Sequence, residues 1–385
     1  MNATRKYLAF FVAATVVLIG IFTLWYLNDG DSQLIVRQFK EKMNATGDFQ
    51  VQLRLYTELL TKVGATKAQD ALASVIPPTT RSHAISHEAG YYLYETKGLE
   101  GIGECKNYFN GGCVHGLLER YIADHGISDL TDIIKVCLNA RTLHEARECP
   151  HGAGHGFLLI AGYANLPQAV RQCESSFKGD ALATSDCFDG VFMENNFGPF
   201  NAPPSDRWYK PDDPQYPCDD SRISADKAAH DSCWFMQSQA TLGKIMYPRF
   251  DGDVSKVATY CAAISSRDDQ TMCYLGLSRQ IQSRAGKNPL EIESQCALLG
   301  ADRKEQCMAD AAESAYSFGD ENSGIALCLA TSHLKEYCFV RLFDRVVTTS
   351  YSTLTDQRAA CTRMPTDRVE GCQVYVSAHA SSTMP

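Results

Sequence analysis

The chain has 385 residues, a formal net charge of −9 and 45% hydrophobic residues, which suits roughly two or three globular domains or one repeat array. Acidic and basic residues are interspersed and no basic stripe occurs, so nucleic acid is excluded as a partner.

The first element is a membrane anchor. Residues 7–27 carry no charge, and at about 1.5 Å per residue such a run spans about 30 Å of hydrocarbon. Arg5 and Lys6 precede it, and Asp29 and Asp31 follow. By the positive-inside rule, residues 1–6 form a cytoplasmic tail and everything after Leu27 is exported to a periplasmic, extracellular or lumenal space. The run is longer than a signal-peptide core and no small-residue cleavage site follows it, so the expected form is an uncleaved, single-pass anchor. Residues 28–48 read as a helical stalk.

All 16 cysteines lie after the anchor, and none precedes Cys105. An even set in an exported chain predicts disulfides. By spacing they form eight pairs: Cys105/Cys113, Cys137/Cys149, Cys173/Cys187, Cys218/Cys233, Cys261/Cys273, Cys296/Cys307, Cys328/Cys338 and Cys361/Cys372. The first members recur at intervals of 32, 36, 45, 43, 35, 32 and 33 residues, the length of two helices with their turns. Amphipathic stretches such as LTDIIKVC and LPQAVRQC precede the first cysteine of a pair, and others such as CFVRLFDRVV follow the second. The prediction is an all-α fold: a disulfide-stapled α/α-repeat solenoid of about eight two-helix repeats, behind the transmembrane helix. Residues 49–217 form the N-terminal repeats, with a proline-rich loop at 195–218 expected to cover a site. Residues 218–385 form C-terminal repeats that serve as scaffold or partner surface.

The segment CKNYFNGGC, with a glycine three residues after its second cysteine, resembles the bridge of cysteine-linked Sel1/TPR-like α/α-repeat proteins. The resemblance covers residues 105–375 and departs from the pattern in the longer later gaps. It implies an α/α solenoid and no particular activity.

Seven of the ten histidines fall between His83 and His155. Aligned on the starts of the second helices, His83, His115, His151 and Asp189 share one position in four successive repeats. One turn later stand His87, Glu119, His155 and, nearly in register, Glu194. Residues four apart share a helix face, and stacked helices place equivalent positions about 8–10 Å apart, so these side chains are expected to converge. The predicted ligands are His83, His87, His115, His151, His155 and Asp189, for one or two divalent transition metal ions, zinc, iron or copper. A haem held by two of the histidines is the alternative cofactor. Glu119 and Glu194 are the candidate catalytic carboxylates, as ligands or as general bases toward water on the metal. Gly154 and Gly156 are expected to leave space beside the histidines, and Pro150 to occupy the first turn of its helix.

Two functional classes stand side by side. One is a metal-dependent enzyme, a hydrolase or an oxygen-using enzyme. The other is a non-enzymatic solenoid whose face holds a peptide or protein partner. In both, the lipid bilayer is a partner through residues 7–27.

Overall fold

The computed structural model describes residues 31–77, 79–106, 108–126, 133, 143–198, 206–243, 247–350 and 353–379. The expected tail and anchor, residues 1–27, lie outside them. Among the described residues no helix is long and apolar enough to cross a membrane, and none of them forms a strand. The chain divides into two compact units, Met1–Ile76 and Pro77–Pro385.

In the first unit, α1 (31–44), α2 (Phe49–Val63) and α3 (Ala65–Ala73) bury Phe39, Met43, Tyr56, Leu59, Leu60 and Leu72. Asp48 caps α2 by accepting the Val51 amide, and Gly64, at φ 79°, turns the chain into α3.

The second unit begins with α4 (Thr80–Lys97), where Thr79 and Ser82 form a reciprocal capping box. After it come α5 (Gly112–His125), α6 (Leu143–Ala161), α7 (Leu166–Ser176), α8 (Ala181–Phe197) and α9 (Lys227–Thr241). The remainder is α10 (Val254–Ala263), α11 (Arg267–Ala285), α12 (Pro289–Ala297), α13 (Ala301–Ser317), α14 (Glu321–Ala330), α15 (Lys335–Arg345), α16 (Leu354–Cys361) and α17 (Val369–His379). Short helices alternate with long ones from α7 onward, the one before α9 being a single turn, Ser221–Ser224. Asp180, Asp253, Ser266, Asn288 and Asp320 each cap the helix that follows through a side-chain oxygen.

Five disulfides join the two helices of a pair: Cys173–Cys187, Cys261–Cys273, Cys296–Cys307, Cys328–Cys338 and Cys361–Cys372. Cys105–Cys113 ties a 3-10 segment to α5, and Cys218–Cys233 ties a turn to α9. All seven have Cα–Cα distances of 5.4–5.7 Å. Cys149 is also disulfide-bonded, while Cys137, its expected partner, lies outside the described residues. Closing each loop of about a dozen residues stabilises the fold by roughly 3 kcal/mol on the chain-entropy account.

The long helices pack on one another in chain order: α4, α5, α6, α8, α9, α11, α13, α15, α17. This packing runs unbroken past residues 217 and 218. After α15, a π-helical segment, Val346–Ser350, returns to contact α6.

Glycine sets how closely the first helices approach. A Cβ on Gly90 would lie 2.1 Å from the Cys113 carbonyl oxygen, and one on Gly116 2.2 Å from that of His87. Gly154 and Gly190 repeat this reciprocal contact between α6 and α8, at 2.1 Å from the Cys187 oxygen and 1.9 Å from the His151 oxygen. Gly154 and Gly156 therefore do not open space beside the histidines: Gly154 seats α8, and Gly156 faces Ile122. Pro150 also departs from expectation. It lies inside α6, which begins at Leu143, so the proline interrupts an established helix.

Candidate metal centre

The backbone contact of α4, α5, α6 and α8 brings the five in-frame histidines into one buried cluster. His83, His115, His151 and His155 are buried, and His87 is nearly so. The His83 and His115 ring centroids lie 4.9 Å apart, and the His115 ring stacks on that of His151 at 4.6 Å. His87 and His155 approach to 5.8 Å. Three groups have donor atoms within 4.8 Å of one another: His83/His87/His115, His115/His151/His155 and Glu119/His155/Glu194.

The hydrogen bonds around the cluster decide which nitrogen of each ring is available. A carbonyl or carboxylate oxygen only accepts, so the ring nitrogen facing it carries the hydrogen, and in the neutral imidazole the other nitrogen holds the lone pair. His83 Nδ1 lies 2.7 Å from the Phe109 carbonyl. His87 Nδ1 faces both Glu119 oxygens, at 3.1 and 3.3 Å. His115 Nε2 meets Glu148 Oε2 at 2.7 Å, and His155 Nδ1 meets Glu194 Oε2 at 2.9 Å. The lone pairs therefore sit on His83 Nε2, His87 Nε2, His115 Nδ1 and His155 Nε2.

Three of these nitrogens converge. His83 Nε2 is 3.1 Å from His87 Nε2 and 3.2 Å from His115 Nδ1. Lone pairs at that distance with no hydrogen between them repel, unless a cation lies among them, either a metal ion or the extra proton of an imidazolium such as His87. Tetrahedral ligands at the usual 2.0–2.1 Å from zinc are separated by about 3.3 Å, close to what is seen here. Each of the three rings is also oriented by an acceptor on its far nitrogen, the usual companion of a metal-bound histidine. The residues fit a metal ion. His151 Nε2 and His155 Nε2, beside the triad, are buried without a hydrogen-bond partner among the described residues. His115 belongs to two of the groups but has a single lone pair, so two complete three-histidine sites do not form from neutral rings.

The electrostatics agree for three of the rings, while His87 would bind a metal in competition with a proton. Burial, reinforced by neighbouring histidines, holds His83, His115 and His151 well below the ordinary histidine range, so they are neutral and able to ligate. Burial alone would also lower His87, but the Glu119 carboxylate overrides it and raises the pKa. Glu119 in turn is pulled down to about 2, its burial being outweighed by His87.

The carboxylates carry a second regularity. Tyr91 donates to Glu119 at 2.5 Å, and Tyr163 donates to Glu194. Each second histidine of an H-x-x-x-H pair thus has a Glu from a neighbouring long helix behind it and a Tyr behind that. Burial first, and then the carboxylate, raises both phenols, which stay protonated as donors. Glu119 and Glu194 are therefore engaged in orienting His87 and His155, which bears on their expected role as bases. Asp189 is not drawn into any of the three groups; it lines a cavity next to His151.

Several contributors escaped the sequence reading. The Phe109 carbonyl reaches His83 because Phe109, Asn110 and Gly111 all take positive φ, at 53°, 55° and 73°. For the first two residues that costs of order 1–3 kcal/mol each. Gly111 leaves room for Glu148, which a Cβ would strike at 2.5 Å, and Gly198 does the same for Glu194. The FNGG of the short bridge was the available signal. The described part of the proline-rich loop docks at the Tyr163 end: Trp208 donates to the Ala164 carbonyl at 2.9 Å, and the Arg207 guanidinium lies 5.8 Å from the Tyr163 ring.

No family model matches the chain, and no curated protein or solved structure matches it either.

Proposed function

We propose that this chain is an extracytoplasmic, membrane-anchored metalloprotein of α/α-repeat solenoid build, and that its histidine cluster is the centre of a metal-dependent enzyme. The observation that carries the reading is the convergence of three imidazole lone pairs at 3.1–3.2 Å, each ring being held from behind by its own acceptor. The uncharged run at 7–27 supports the anchor, and seven disulfides fit an oxidising compartment.

A divalent transition metal held there supplies Lewis-acid or redox chemistry. The protein supplies the geometry. His83, His87 and His115 bind, while Phe109, Glu119 and Glu148 fix their rings. His151 and His155 leave two buried nitrogens toward the same centre. A cavity of about 400 Å³, lined by His151 and Glu148, reaches the cluster from outside. A purely structural ion needs no such access, which favours the enzymatic reading over a passive scaffold.

Elemental analysis of the full chain tests this. The wild type should carry at least about one transition metal ion per chain, and His83→Ala/His115→Ala should carry almost none. A wild-type content below about 0.2 per chain after incubation with zinc, iron and copper would sink the proposal.

A further inference from the structure

The cavity beside the cluster is walled by successive long helices from both halves of the second unit, α6 and α8 on one side and α9, α11, α13 and α15 on the other. Its charged residues are mostly engaged. Glu313 accepts from both Arg341 and Arg345, Asp231 pairs with Lys227 at 2.9 Å, and Glu148 holds His115. Arg279 differs. Its guanidinium lies between the rings of Phe235 and Phe318, 5.4 Å from each centroid; Asp189 is the acid that acts on it most, yet among the described residues no hydrogen bond or ion pair within 4 Å holds it. Two aromatic faces hold the planar fork in place without using its five N–H donors. Gly276, whose Cβ would lie 2.2 Å from the Phe235 carbonyl oxygen, lets α11 sit close enough for this sandwich.

We propose that the cavity is the substrate pocket of the metal centre, and that Arg279 receives one oxyanionic group, a carboxylate or a phosphate-type group, of a small molecule. This rests on the metalloenzyme reading above. The ligand is expected to be small because the cavity measures about 400 Å³. It carries one such group, because the other arginines of the lining, Arg341 and Arg345, are taken by Glu313. Its remainder meets Phe235, Met236 and Leu275 on one side and His151 on the other, which presents the reacting part to the cluster. Arg279 is thus a binding residue that fixes the substrate by two parallel N–H···O bonds, a geometry that lysine lacks.

The test uses the full chain, zinc-loaded, titrated calorimetrically with benzoate, phenylphosphonate and the neutral isostere benzamide. At least one anion should bind and benzamide should not; whichever anion binds more tightly identifies the group. Arg279→Gln should weaken that anion roughly ten- to a hundredfold, while zinc content stays at the wild-type value. Arg279→Lys, which keeps the charge and the stem, serves if the glutamine variant does not fold, and it should weaken the anion about tenfold. Equal binding by benzamide, or anion affinity indifferent to Arg279, overturns the pocket. Zinc content on the same samples separates the two readings. A zinc-free wild type that still binds the anion through Arg279 refutes the metal and leaves the pocket standing. A zinc-loaded wild type that binds neither anion refutes the pocket alone.

Discussion

Replacing Gly190 by alanine tests how the histidines are brought together. The new Cβ would stand 1.9 Å from the His151 carbonyl oxygen, and carbon atoms do not approach closer than 3.0 Å, so α6 and α8 must part by about 1.1 Å. The His155–Glu194 contact, now 2.9 Å, would then stretch to about 4.0 Å and cease to be a hydrogen bond. Alanine gains up to about 1 kcal/mol over glycine within a helix. Overpacking costs about 1–3 kcal/mol, and the lost charge-assisted bond adds about 1.5–3. The net expectation is a loss of about 1.5–5 kcal/mol, or roughly 2–8 °C in Tm by circular dichroism for a unit of this size. Metal affinity should fall at least about tenfold, because His155 loses its orienting carboxylate. Gly47→Ala, where nothing lies within 4 Å of the added carbon, is the control. If Gly190→Ala matched the control in both Tm and affinity, backbone contact between the helices would not be what positions the cluster.

Two further outcomes follow from the buried carboxylates. Glu119→Gln keeps the shape but removes the charge behind His87, and should weaken metal binding about ten- to a hundredfold in competition with a chromogenic chelator; unchanged affinity would show that Glu119 does not orient a ligand. Asp310, held by burial at about 7 against its ordinary 3.8, binds its proton in the native state where the unfolded chain has lost it. Its contribution to stability is therefore present at low pH and lost as pH rises through 7, by as much as about 4 kcal/mol. Asp310→Asn, which mimics the protonated acid, should flatten the fall in urea-unfolding stability between about pH 4 and pH 7; a slope identical to wild type would contradict the raised pKa.

The helical organisation was legible because it is written in short-range terms: cysteine spacing, capping residues and apolar periodicity each fix one helix or one bridge. The frame shared by His83, His115 and His151 was legible for the same reason, since successive bridges set the register of successive helices. What escaped was whatever depends on contact between helices. Gly154 read as open space because sequence does not say what faces a glycine, and the structure puts the Cys187 carbonyl there. Glu119 and Glu194 read as candidate bases because their partners Tyr91 and Tyr163 lie on other helical segments, 28 and 31 residues away. Glu148, one residue before the bridging Cys149, carried no periodic signal, yet it holds His115. Arg279, set in a half without aligned histidines, drew no notice because only the return of the segment after α15 toward α6 closes that half around the cluster.

X-ray absorption on the zinc-loaded full chain tests the central claim most directly. The first shell should be nitrogen and oxygen at about 2.0–2.1 Å, with imidazole scattering from at least three rings and no sulfur. A sulfur shell at about 2.3 Å, or a shell with fewer than three imidazoles, would place the metal outside the histidine cluster.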